Sequence, residues 1–406
     1  MRKCIGNIIG AIILLFSTVF LVSLPSMVFA VSQTRKEIYN TLNEFNLQGK
    51  LKDKDQKVSG PCWAFASTAA VEAFLAKRNM LDSSLSEKHL LNWVNKKSNE
   101  SGYHTPINEG ASLFCAMSYF LSDEGIYKEN DCQYNSENTY YKKLNVNPSY
   151  SVRGIKYLDN NVDNIKKAVS EYGAACVGYN TELGPGHAVC IVGWNDSRQS
   201  WLVKDSNYKG FSYRWLSFST PLLESFAITD VKKYDANEKN YQCDEVFEYG
   251  NFIIGKNITC ANVFSFNAGE VLKSVIISSD AVGAICDVYV APVDSSGRPS
   301  SNKSTWKCVK KSAVVPHKGC FEIKTNNEKL PSKAAIVVSL RDRNSKQDVS
   351  FGYTKRKSDT GRLEIFGRNN NSYKLNGNGF LNQQEDDFSS RNNVCSYNIK
   401  AIVKKN

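Results

Sequence analysis

The chain has 406 residues, 42% hydrophobic and 22% charged, with twelve cysteines and four histidines. That length exceeds one ordinary hydrophobic core and predicts two domains, and the balanced composition excludes a disordered or fibrous chain. The net charge of +11 comes without a dense basic cluster, so it reads as solvated surface and argues against a nucleic-acid partner.

The first residues have the form of a secretory signal. Arg2 and Lys3 precede an apolar run over residues 8–22, and Val28, Phe29 and Ala30 form a small-x-Ala cleavage site. An uncleaved membrane anchor is the rival reading of that run. Cleavage after Ala30 removes two cations and lowers the net charge from +11 to +9, and it implies a secreted or cell-surface protein. Residues 31–50 are polar and predict a helix over residues 35–45, either a short leader or an N-terminal extension.

Residues 56–67 read Gln-Lys-Val-Ser-Gly-Pro-Cys-Trp-Ala-Phe-Ala-Ser, a cysteine at the point where a loop turns into a helix. Gly60 and Pro61 suit a helix start, and apolar residues from Trp63 to Leu75 predict a helix with one strongly buried face. Lys77, Arg78 and Asn79 close it. Cys62 therefore meets the positive end of the helix dipole, which favours thiolate over thiol and fits a nucleophile. An isolated cysteine is more often a small core residue. Further helices are predicted from Leu85-Ser86-Glu87 through Trp93, over 111–122 and over 162–172.

After Tyr150 strands and turns take over. Gly184, Pro185 and Gly186 mark a turn, His187 opens the apolar run 188–194, and residues 201–204 resume the strand after a polar turn. A hairpin of this form brings His187 and Asp205 to the same end. Beyond about residue 230, apolar runs at 251–254, 271–277, 285–293, 334–340, 363–366 and 397–403 alternate with Gly, Asn, Ser and Pro turns. They predict an antiparallel β-sandwich, with the domain boundary in the polar segment 232–240.

The other cysteines outside the signal are 115, 132, 176, 190, 243, 260, 286, 308, 320 and 395, an even set that permits up to five disulfides in an exported protein. No C-x2-C pair occurs and no calcium set stands out, so neither a metal nor another cofactor is expected. Asp386 and Asp387 read as a solvated acidic turn.

Gln56, Cys62-Trp63, His187-Ala188-Val189 and Lys204-Asp205-Ser206 occur in the order and context of the papain-like cysteine peptidases, which residues 45–230 resemble. Leu85-Ser86-Glu87 and Gly125-Ile126 with Glu129 and Tyr134 add weaker matches. The resemblance implies a two-lobed α+β peptidase domain at 51–232 in which Cys62 attacks a peptide carbonyl and His187 is its ion-pair partner and general acid. It further implies that Asp205 orients His187, that Gln56 contributes to the oxyanion hole and that Gly110 binds substrate backbone. Four departures accompany it. Asp205 replaces the usual Asn, Asn207 the usual shielding Trp, Ser59 and Pro61 alter the segment before Cys62, and there is no room for the long inhibitory propeptide common in the family.

Residues 233–406 resemble the lectin-like β-domain that follows papain-like domains in bacterial surface proteins, including clostridial cell-surface cysteine proteases. Phe247-Glu248-Tyr249-Gly250, Asn262-Val263-Phe264, residues 271–275 and 287–290, and Asn393-Val394-Cys395 carry that likeness. The implied function is a secreted cysteine endopeptidase with a polypeptide substrate and with a cell-wall or glycan ligand for its second domain. The alternative is an inactive papain fold serving in adhesion.

Overall fold

The computed structural model describes residues 33–181, 186–206, 212–243, 246–358, 362–366, 371–377 and 379–405. The signal segment, the Gly184–Pro185 turn and Asn207 lie outside the described residues. The fold is α+β, with antiparallel sheets throughout.

A helix over residues 33–44 (α1) opens the described chain. Its Ile38 and Leu42 are buried, as is Phe45 just beyond it, and Phe45 meets the Trp194 ring at 5.1 Å. Helix α2 (Cys62–Lys77) follows, then α3 (Glu87–Trp93), the short strand β1 (Gly102–Tyr103) and α4 (Leu113–Leu121). Ser86 and Ser112 cap α3 and α4 with their hydroxyls. The expectation of one buried face on α2 needs correction, because every residue from Trp63 to Ala76 is buried. The helix is the axis of the domain, and the alanines and Ser67 on its remaining faces let strands and helices approach from all sides.

The second lobe is a sheet of β2 (Tyr150–Tyr157), β3 (Ala175–Asn180), β4 (Gly186–Asn195), β5 (Ser200–Lys204), β6 (Tyr213–Ser217) and β7 (Leu222–Lys233), with α5 (Val162–Tyr172) packed on it. The expected hairpin is β4–β5, in which Cys190 faces Lys204. His187 and Asp205 lie three residues before and one residue after that pair.

The second half forms β8 (Glu238–Tyr241), β9 (Phe252–Gly255), β10 (Asn257–Ser265), β11 (Glu270–Ser279), β12 (Ile285–Ala291), β13 (Lys307–Val314), β14 (Gly319–Lys329), β15 (Lys333–Arg341), β16 (Val349–Lys355), β17 (Leu363–Glu364), β18 (Ser372–Asn376), β19 (Gly379–Asn382), β20 (Val394–Tyr397) and β21 (Ile399–Lys405). A short helix, α6 (Asp387–Arg391), precedes β20. A sheet ordered β13-β12-β15-β10-β18-β19 faces strands β14, β11 and β21 across a core of Val, Ile, Leu and Phe side chains, which is the expected sandwich.

The two domains share one sheet, ordered β6-β5-β4-β3-β7-β2-β14-β11-β21-β8. Gly319 and Cys320 of β14 pair with Lys156 and Ile155 of β2. Gly319 has φ +123°, and a Cβ there would stand 2.1 Å from the Ile155 carbonyl oxygen, so only glycine permits this approach. A second bridge pairs β1 with β17. Val246, Phe247, Tyr249, Leu363 and Ile365 join the core of the first domain, and Arg153–Glu238 at 2.6 Å and Lys318–Asp159 at 2.7 Å tie the rim.

The expected disulfides are not seen among the described residues, where seven of the eleven cysteines, including Cys176, Cys190, Cys260 and Cys320, are buried. They sit at inward positions of strands and helices, packed as small hydrophobes. Asp386 is not solvated either: it is buried, caps α6 through the Ser389 N–H and pairs with Lys374 at 3.0 Å, whereas Asp387 is exposed.

Candidate active site

The segment before α2 is fixed by backbone geometry. Gly60 has φ +111°, and a Cβ there would lie 2.5 Å from the Asn108 carbonyl carbon, so glycine lets this segment press against the loop that carries Glu109 and Gly110. Pro61 precedes Cys62, the first residue of α2, and the leading N–H groups of a helix have no partner within it. Cys62 is partly buried, with its Sγ 3.9 Å from the Gly60 carbonyl oxygen.

His187 approaches from the other lobe. Its Nε2 donates to Asp205 Oδ1 at 3.0 Å, and Cys62 stands near enough to influence the ring. Burial lowers the basicity of the ring, but Asp205 and Cys62 outweigh it and raise the pKa from 6.5 to about 9. Below that pH the ring is an imidazolium near the sulfur, the charge that a cysteine nucleophile needs beside it.

Asp205 is buried and held from its other side as well. Arg214, on β6, donates from Nε to Asp205 Oδ2 at 2.7 Å and from Nη2 to the Tyr179 hydroxyl. The Tyr179 ring stands edge-on to the His187 ring with centroids 5.9 Å apart.

Gln56 is buried against the same strand end. Ser206 Oγ donates to its Oε1 at 2.7 Å, and its Nε2 donates to the Val58 carbonyl at 3.0 Å, leaving the second amide hydrogen for another acceptor. The Tyr134 hydroxyl donates to the Gln56 carbonyl, and Glu129 accepts from the Tyr134 N–H at 2.7 Å. Behind α2, Lys54 bridges Glu72 at 3.0 Å and Glu87 at 2.6 Å. Burial, the largest influence on Glu87, pushes its carboxyl up to about 7. The weaker sequence matches at Glu87, Glu129 and Tyr134 thus form the footing of the Gln56–Cys62 segment.

Cys62, Gly110 and His187 line one cleft of about 700 Å³. A Cβ on Gly110 would meet nothing within 4 Å, so the space above it is open to a ligand. Glu224 lies on the cleft wall, where it accepts from Ser112 Oγ and the Leu113 N–H. The second domain completes that wall with Glu248, Ser358 and Arg362. Arg362 donates to the Gly110 carbonyl and pairs with Glu109 at 3.2 Å. Sequence reasoning missed Arg214, Tyr179, Ser206 and these second-domain residues. Ser206 and Glu248 lay within quoted motifs, though without a role at the site, and the others are joined to it by strand pairing or domain docking.

Residues 48–212 match the family model described as papain family cysteine protease, and residues 240–403 match the lectin like domain. The cysteine protease and lectin-like domains of Cwp84, a surface layer associated protein of Clostridium difficile, superpose with a TM-score of 0.78 at 26% identity, covering 88% of this chain and 87% of that one. A viral cathepsin of Epiphyas postvittana nucleopolyhedrovirus is 27% identical over 174 residues, 38% of this chain and 50% of its own length. Cathepsin K of Gallus gallus is 27% identical over 175 residues, with the same two shares. The chain thus spans about half the length of the curated relatives it matches.

Proposed function

We infer that this chain, which joins a papain-family cysteine protease domain to a lectin-like domain, is a cysteine-type endopeptidase acting on polypeptides outside the cell or at its surface. The observation that carries the reading is a cysteine at a helix start that shares one cleft with an imidazole held by a buried carboxylate. In this reading the Cys62 thiolate adds to a peptide carbonyl carbon, and the oxyanion is received by the Gln56 amide and the Cys62 N–H. Each such donor is worth about 3 kcal/mol. His187 gives its Nδ1 proton to the leaving amine as the C–N bond breaks, and water then releases the acyl group. Asp205 keeps the ring in the orientation both steps need. Gly110 pairs with the substrate backbone.

The surface location is supported by the signal-like residues 1–30 and by the description of Cwp84 as surface layer associated. For the lectin-like domain, a glycan or cell-wall ligand is the partner we propose. The packing of α1 supports its staying with the mature peptidase domain. A cysteine-directed epoxide is expected to label the folded protein at Cys62 and to stop its turnover of a denatured protein substrate. Labelling that survives Cys62→Ala, or no labelling of the folded wild type, would overturn the reading.

A further inference from the structure

The peptidase cycle asks two opposite things of His187. In acylation the ring must be protonated. In deacylation water adds to the thioester carbon, the C–O bond forms, the water proton passes to His187 Nδ1, and the C–S bond breaks to return the Cys62 thiolate. A ring that stays protonated cannot accept that proton. Before acylation two anions face it, the thiolate and Asp205; in the acyl-enzyme only Asp205 remains. An uncompensated carboxylate 3.0 Å from Nε2 would therefore hold the ring charged just when it must be neutral. The amide usual at this position creates no such problem.

Arg214 faces Val203 across the β5–β6 pair, two residues before Asp205, and its Nε lies 2.7 Å from Asp205 Oδ2. Its Nη2 donates to the Tyr179 hydroxyl, so the guanidinium is fixed at two points, and burial leaves its side chain 23% exposed. Among the described residues, the titratable and charged groups around the His187 ring are Cys62 from α2, Asp205 at the end of β5 and Tyr179 from β3, with Arg214 of β6 behind Asp205.

We propose that Arg214 is a positioning residue that orients Asp205 and offsets its charge, so that the carboxylate aligns His187 as an amide would while the ring remains able to lose its proton in the acyl-enzyme. This rests on the peptidase reading for its purpose, but its test does not.

The test is the pKa of the His187 ring, read by NMR on isotopically labelled histidine in the full-length chain carrying Cys62→Ala. Four histidines keep the spectrum assignable. Arg214→Gln is expected to raise that pKa by about one unit, and the rise is expected to vanish when Asp205→Asn is added. No rise, or an equal rise with Asn at 205, overturns the proposal. If Arg214→Gln fails to fold, Arg214→Lys carries the test: it keeps the cation without the two-point contact, so a smaller rise that again depends on Asp205 is expected, and its absence overturns the proposal. In the protein with Cys62 intact, Arg214→Gln is expected to lower kcat about tenfold near pH 6 with a parallel fall in KM, because acyl-enzyme accumulates. An unchanged kcat in a variant that turns over substrate contradicts it. Failure of the peptidase reading is told apart by the epoxide, which would then leave the wild type unlabelled.

Discussion

Asp205→Asn keeps an acceptor opposite His187 Nε2 and removes its charge. The ring pKa of about 9 lies about 2.5 units above the reference 6.5, equivalent to about 3.4 kcal/mol of preference for the imidazolium. Asp205 and Cys62 supply it against the opposing effect of burial, and Arg214 at 2.7 Å already cancels part of the Asp205 field. Loss of the carboxylate should then return about 1.3 units, a little over half of the rise. The expected result is that the alkaline limb of kcat/KM, near 9 in the wild type, moves below 8. At pH 9 activity should fall about tenfold, while at pH 6.5 it stays within about twofold. Stability follows the same ring. Its folded-state pKa is raised, so its contribution is fully present below about 6.5 and is lost as pH rises through about 9. Melting curves of the variant should show a smaller loss across that window. A fluorogenic peptide assayed from about pH 5 to 10 decides the matter. An alkaline limb that stays near 9, or moves upward, would refute the assignment of Asp205 as the source of the raised pKa.

Two further predictions concern the join between the domains. Lys400 of β21 is buried with its ammonium on the Leu121 carbonyl and 3.5 Å from Asp123, and burial lowers its pKa to about 8. The unfolded chain holds that proton up to about pH 10.4, so stability should rise with pH between about 8 and 10.4. Lys400→Met should stabilise by about 1–2 kcal/mol at pH 7 after loss of the bond to Leu121, and should flatten that rise; a lower melting temperature at pH 7 counts against it. Gly319→Ala should cost about 3 kcal/mol or more, because its new methyl meets backbone of the other domain, whereas Gly269→Ala, with a φ of +83° in open space, should cost about 1 kcal/mol. Equal losses in calorimetry would show that the β2–β14 approach is not limiting.

What the chain revealed in advance was what local rules govern. A Gly-Pro-Cys at the start of an alanine-rich helix, and a hairpin with His at one strand's start and Asp just past the other's end, are decided within about twenty residues, so Cys62 could be set at a helix start and His187 beside Asp205, while joining the two took the family resemblance. Arg214 could not, because its partnership depends on β6 pairing with β5 through a turn whose register has no strong signal. The burial of α2 on every side was missed because alanine is compatible with both a packed and an exposed face. The strand β13 was missed because its Lys307, Lys310 and Lys311 face solvent at an open sheet edge. Cysteine counting is limited for a different reason. Parity says how many bridges are allowed, but strand positions decide whether thiols meet.

The shared sheet alters how the second domain can be studied. The peptide between Lys233 and Glu238 looks like the place to divide the molecule, yet severing it would open a seam that runs through hydrogen bonds rather than between surfaces. Each half would carry a raw strand edge, β2 on one and β14 on the other, beside apolar side chains such as Phe247 and Tyr249 stripped of their cover. Raw edges recruit other chains without regard to identity. Any sugar or wall fragment retained by residues 235–406 alone would therefore have to be distinguished from adhesion by the wound itself, and the intact chain carrying Cys62→Ala is the cleaner bait.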